Sequence, residues 1–154
     1  MNRYKKHPVN EMKLEFMGRS INEGFARAAV AGFAAQLDPT LEELNDIKTA
    51  VSEAVTNCIV HAYPEKIGVI YITSHIYEDG VLEITVRDRG IGIENVRMAR
   101  KPMFTTGNND RAGMGFTIME SFMDKLYVRS KVGTGTTVRM IKTIALKESA
   151  RSGK

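Results

Sequence analysis

The sequence predicts an α+β fold, a two-layer α/β sandwich with helices on an antiparallel sheet. Three observations lead there. Apolar residues recur at helical spacing along Leu44, Ile47, Val51, Val55, Cys58 and Ala62. They alternate with polar residues along Met12, Leu14 and Phe16, and again along Leu82, Ile84 and Val86. The succession of these segments lacks the regular strand–helix–strand alternation of a parallel sheet.

Taken in order, residues 1–10 read as a flexible leader, 11–145 as a single domain and 146–154 as a disordered tail. The first strand lies around Met12–Phe16. Asn22 is placed to cap a helix that runs to about Gln36. Asp38-Pro39-Thr40 breaks the chain, and Thr40 followed by Glu43 is a capping-box signature for the next helix. That helix is expected to reach His61 or Ala62, before Pro64 stops it. Glu53, Asn57 and His61 follow one another at helical four-residue steps, so they share a face beside the apolar stripe. Ala50 and Ala54 on that side leave room for something other than protein.

Val69–Ile76 and Val81–Arg87 read as strands joined by Glu78-Asp79-Gly80, a hairpin signal. Asp88 is the next residue on the apolar face of the second strand. Residues 94–112 are polar and irregular except for a short helix around Val96–Arg100. A helix over Phe116–Met123 follows Gly113-Met114-Gly115. Leu126–Ser130 and Thr136–Ile144 close the sheet around Gly133-Thr134-Gly135.

Composition narrows the function classes. Hydrophobic content of 43% and charged content of 26% suit a soluble globular domain, and no apolar run reaches membrane-spanning length. The single cysteine, Cys58, allows no internal disulfide, so the expected compartment is the cytoplasm. The net charge of +4 gathers at the two ends, without a basic stripe or zinc-finger spacing, so no direct nucleic-acid partner and no membrane partner are expected.

The chemistry lies in an ordered series of short motifs. An acid that continues a strand's apolar face is costly unless something donates to it. The exocyclic amine of adenine would donate to Asp88, and Gly90 and Gly92 would let the backbone approach a flat ring. Alone, Asp88-Arg89-Gly90 reads more readily as a surface turn that ends a strand. Gly113, Met114, Gly115 and Phe116 open a helix whose first N–H groups face an anion, although a plain loop-to-helix turn has the same look. No Gly-Lys-Ser/Thr follows either glycine cluster, which excludes a P-loop. Glu53 would take a proton from an attacking hydroxyl, and the amide oxygen of Asn57 would hold Mg²⁺. An exposed polar helix face is the simpler alternative for this pair. His61 reads either as a support of the site or as a partner for carbonyls at the helix end, the second slightly favoured, and Cys58 as core rather than nucleophile. Thr105, Thr106 and Arg111 lie in a polar segment placed to act as a lid over a terminal phosphate, although a solvated loop reads equally well for each residue taken singly. Thr136, at the start of a strand, would bond a purine through its hydroxyl, although β-propensity alone also explains a threonine there.

These motifs together resemble the GHKL superfamily. Ser52-Glu53-Ala54-Val55-Thr56-Asn57 is similar to its N box, Asp88-Arg89-Gly90-Ile91-Gly92 to its first glycine box, and Gly113-Met114-Gly115-Phe116 to its second. Gly135-Thr136-Thr137 is similar to its closing element. Phe25-Ala26-Arg27 and Gln36-Leu37-Asp38-Pro39-Thr40 resemble the sporulation branch of its small serine-protein kinases, the anti-sigma factors of endospore-forming bacteria.

The resemblance implies the GHKL-type ATP-binding (Bergerat) fold with ATP and Mg²⁺ as cofactors. It makes Glu53 the general base, Asn57 the metal ligand, Asp88 the adenine acceptor and Gly113–Phe116 the phosphate cradle, with Arg111 beside the terminal phosphate. It also implies that a serine of an anti-anti-sigma factor receives the phosphoryl group. A homodimer would hold a sigma factor of the sigma F type, with Arg27 in the partner contact.

Three rival readings are a histidine kinase catalytic domain, a nucleotide-binding module without phosphotransfer, and the sister kinase of the stress-response (sigma B type) system. The first needs a phosphoacceptor histidine on a helical hairpin, and His7, His61 and His75 are not placed on one.

Overall fold

The computed structural model describes residues 7–102 and 114–144. Among the described residues a five-stranded sheet has the order β1-β2-β3-β5-β4, every neighbouring pair antiparallel. The strands are β1 (Asn10–Met17), β2 (Val69–Ile76), β3 (Val81–Asp88), β4 (Lys125–Lys131) and β5 (Gly135–Thr143). The α-helices among the described residues are α1 (Asn22–Ala34), α2 (Leu41–Asn57), the short α3 (Val96–Ala99) and α4 (Gly115–Phe122). The α+β two-layer sandwich read from the sequence is the fold observed.

Alternation along the central strands divides the sheet into two faces. Ile70, Ile72, Ile76, Leu82, Ile84, Val86, Val138 and Met140 point to one side and are buried with Val30, Ile47, Val51, Val55 and Met119 from the helices. Burial of these side chains, at roughly 25 cal/mol per Å² of apolar surface, is the main term holding the layers together. Lys142 ends this face, its Nζ donating to the Phe122 carbonyl (2.8 Å) and to Asp46 Oδ2 (3.4 Å), so it ties β5 to α4 and α2. Over β1, Phe25 of α1 meets Phe16 edge to face at 6.5 Å.

The opposite sheet face is sealed by charge and aromatic pairs. His75 bridges Glu11 Oε2 (2.6 Å) and Glu83 Oε1 (3.1 Å), while Arg139 donates to Glu83 Oε2 (2.7 Å). Arg139 also lies 4.4 Å above the Tyr127 ring, and Arg87 lies 4.7 Å above Tyr71.

Several local signals act as expected. Thr40 and Glu43 form the reciprocal capping box, each side chain accepting from the other's backbone N–H at 3.0 and 2.9 Å. The Asp79-Gly80 hairpin closes with Gly80 at φ 83°.

Three boundaries differ from expectation. Asn22 does not cap α1. Ile21 takes the cap position, and the Asn22 side chain donates instead to the Met17 carbonyl at 2.9 Å, anchoring the helix to the end of β1. The α-helix stops at Ala34 and tightens into a 3-10 turn over Ala35–Leu37. The α2 helix ends at Asn57, where a π-helical turn over Cys58–Ala62 takes over. His61 therefore lies on a wider turn than the regular four-residue spacing assumed. Among the described residues, no helix is long and apolar enough to cross a membrane.

Candidate functional site

The π-helical turn is where the site begins. It meets the end of β3, the start of β5 and the first turn of α4, and between them lies a cavity of about 140 Å³ lined by Asn57, Cys58, His61, Asp88, Phe116 and Thr136, among others. Ala54 also lines it, as expected of a small residue that leaves room, whereas Ala50 is fully buried in the core and does not. The cavity is smaller than the roughly 300–1,000 Å³ of whole small-molecule sites. Its size suits a flat ring, with the rest of a larger ligand extending outward.

Asp88 is the buried acid of this cavity, 6% exposed. Its Oδ1 accepts the backbone N–H of Gly90 at 2.9 Å and of Thr136 at 3.2 Å. Its Oδ2 accepts from the Cys58 thiol at 3.5 Å. These donors offset the desolvation of a buried carboxylate, and Oδ2 keeps lone pairs for a ligand N–H. Burial, and then the adjoining Asp88 charge and hydrogen bond, push the Cys58 thiol well above its usual pKa. It is a donor at neutral pH and not a nucleophile. Burial alone pulls His61 below its usual pKa, so the imidazole facing the cavity is neutral at physiological pH.

The glycines of this region also serve a purpose that was not read from the sequence. A Cβ at Gly90 would fall 2.2 Å from the Ala62 carbonyl oxygen, and one at Gly135 would fall 2.2 Å from that of Asp88. Gly92 has φ +80° and its Cβ position is 2.3 Å from the Lys131 carbonyl oxygen. Each allows a close approach to protein backbone. They draw the π-helical turn, the end of β3 and the β4–β5 turn together, which shapes the cavity around Asp88. Of the three, Gly92 also lines the cavity.

At the other end, Asn57 lies at the last position of α2 with its side-chain amide against Gly115, the first residue of α4. Met114 is exposed at the cap of α4, and Phe116 is buried at the cavity wall. Glu53 is buried one turn before Asn57 and is not part of the cavity wall. Gly113, Thr105, Thr106 and Arg111 lie outside the described residues. Arg27 is half-exposed on α1 and pairs with Glu23 (3.0 Å) and with the Ser52 hydroxyl (3.2 Å), next to Glu53 in sequence.

Sequence reasoning missed two supports. Tyr63 accepts the Arg89 N–H at 2.7 Å and donates to the Val69 carbonyl at 2.8 Å, clamping the segment after Asp88. Ser130 pairs with the Thr136 hydroxyl at 2.7 Å and accepts the Ile93 N–H at 2.7 Å. Thr136 thus reaches Asp88 through its backbone while its hydroxyl engages Ser130. Nothing in the local sequence marks Tyr63. Ser130 and Thr136 are cross-strand partners and become a pair only once β4 and β5 are in register.

The histidine kinase-like ATPase domain family matches residues 21–142. An anti-sigma F factor from Caldanaerobacter subterraneus subsp. tengcongensis is 60% identical over 136 residues, which is 88% of this chain and 94% of that protein. Another, from Geobacillus thermodenitrificans, is 56% identical over 137 residues with the same shares covered, 88% and 94%. The chain belongs to the anti-sigma F factor family. Its fold is the GHKL-type fold of that family, as the motifs implied. A crystal structure of the RsbU and RsbW domains of a Mycobacterium tuberculosis protein has a TM-score of 0.64 at 18% identity, covering 89% of this chain and 32% of that one. That likeness shows the shared fold alone. The residues lining the cavity at Asp88 all fall within the stretch that matches the histidine kinase-like ATPase domain.

Proposed function

We propose that this chain is an ATP- and Mg²⁺-dependent serine-protein kinase that phosphorylates an anti-anti-sigma factor and, as a homodimer, binds and inhibits a sigma factor of the sigma F type. The observation that carries the nucleotide reading is Asp88, a buried carboxylate with an acceptor directed at a ring-sized cavity. Adenine donates its exocyclic N–H to that acceptor. The phosphates run toward Asn57 and the start of α4, where backbone N–H groups and the helix dipole favour anions.

The donor set suits magnesium. Among the described residues no three of His, Cys, Asp or Glu form a metal cluster, but a hard amide oxygen together with phosphates and water is a common Mg²⁺ environment. Asn57 would hold the ion, which supplies charge neutralisation on the phosphoryl group being transferred. Glu53 acts one helical turn away. It takes the proton of the acceptor serine as the serine oxygen bonds to the γ-phosphorus and the bond to the ADP oxygen breaks. Thr105, Thr106, Gly113 and Arg111 complete the phosphate end in this reading, and Arg27 joins the partner surface.

The names of the 60% and 56% identical relatives support the sigma F assignment. The test is transfer of label from γ-labelled ATP, in the presence of Mg²⁺, to a candidate anti-anti-sigma factor, with the site mapped to a residue. Label on a serine is expected. Nucleotide binding without transfer to that partner would leave a binding module in place of a kinase. Co-purification of a sigma factor with the chain tests the second activity.

A further inference from the structure

The one protein donor to Asp88 Oδ2 among the described residues is the thiol of Cys58, at 3.5 Å. Oδ1 is already held by two backbone N–H groups, from Gly90 and Thr136. Those two bonds fix one oxygen and leave the carboxylate plane to be set by whatever meets the other. Cys58 and Asp88 both line the cavity, and they come from elements 30 residues apart in sequence. The thiol is thus a built part of the acid's setting, although its place on the apolar stripe reads as packing alone.

We propose that Cys58 is a positioning residue that sets the preference for a 6-aminopurine by orienting Asp88 Oδ2 toward the base edge. This rests on the nucleotide reading of the cavity. An oriented carboxylate accepts from the 6-amino group of adenine. A 6-oxo base brings an acceptor to the same place and gains nothing from the orientation. Removing the thiol lets the carboxylate turn, which weakens binding of the amino base and leaves the oxo base unaffected.

The test measures ATP and ITP affinities by calorimetry with Mg²⁺, on the full chain and on Cys58→Ala and Cys58→Ser. The wild type is expected to prefer ATP. Cys58→Ala should narrow the ATP-to-ITP affinity ratio by about fivefold, the scale of one net hydrogen bond. Cys58→Ser keeps a donor and should restore most of the ratio. The ratio is insensitive to partial unfolding, because an unfolded chain binds neither nucleotide. A second readout is the S–H stretching frequency of the wild type, which should shift when ATP is added and not when ITP is added. An unchanged ratio in Cys58→Ala overturns the proposal, and so does equal loss in both variants, which would mark packing. A wild type that binds ATP no better than ITP overturns the adenine reading of Asp88 itself.

Discussion

Gly115 abuts the side-chain amide of Asn57 so closely that a Cβ would lie 3.1 Å from both Nδ2 and Oδ1. The start of α4 and the end of α2 therefore fix the Asn57 amide between them. Gly115→Ala should push that amide by a few tenths of an ångström while favouring the helix. Stability is expected to hold or rise by up to about 1 kcal/mol. Phosphoryl transfer should fall on the order of tenfold, with a higher Mg²⁺ requirement, because positioning is lost. Transfer kinetics against Mg²⁺ concentration, beside a denaturant titration, separate the two effects.

Asp88→Asn keeps an oxygen for the Gly90 and Thr136 N–H groups but replaces the other acceptor with an NH₂. That group faces the Cys58 thiol and the amine of the base as donor against donor. ATP affinity should drop about 10- to 100-fold, the scale of a hydrogen bond to a charged group. Calorimetry measures it, and unaltered affinity would place the base elsewhere.

Glu53→Gln should bind ATP as the wild type does and transfer about 100- to 10,000-fold more slowly, the usual range for loss of a general base. Single-turnover transfer to the partner, with nucleotide affinity measured in parallel, is the check. Wild-type transfer in this variant would remove Glu53 from the chemistry.

Gly90→Ala has no room for its methyl group, with the Ala62 carbonyl oxygen 2.2 Å from the Cβ position. The π-helical turn must move away from the end of β3. A loss of about 1–3 kcal/mol is expected in urea unfolding, together with weaker nucleotide binding. Retained stability would show that this junction yields easily.

On the outer sheet face, burial pushes the Glu83 carboxyl up, but hydrogen bonds from Arg139 and His75 and their charges outweigh it and hold the carboxyl below its usual pKa. A hydrogen bond from His75 likewise lowers Glu11. A carboxyl with a lowered folded pKa contributes stability above its unfolded pKa and loses it as pH falls through the folded value. The unfolding midpoint should therefore decline as pH is taken from neutral down through the carboxylate range. Glu83→Gln should be less stable at neutral pH and decline less steeply in acid. Parallel slopes for the two proteins would rule out this source.

Much of this was legible in the sequence. The alternation of Leu82, Ile84 and Val86 placed Asp88 on the core side, and there it lies. Thr40 and Glu43 marked the start of α2 because a capping box is a local contact. The π-helical turn was not legible. Cys58–Ala62 carries the same apolar spacing as an α-helix, and the widening shows only where the turn meets the Gly90 backbone. Asn22 misled for a related reason, since its side chain found the end of β1 before it could cap its own helix.

The sequence by itself determined the periods, the caps, the hairpin and the presence of an acid on an apolar strand face, because these depend on neighbours within one or two turns of chain. Only the tertiary structure decided what meets that acid. The Cys58 thiol and the Thr136 N–H come from 30 and 48 residues away, and they converge because β5 pairs with β3 while α2 packs across the buried face. Burial of the shared core selects that arrangement. A buried carboxylate then requires donors from whichever segments the packing brings beside it.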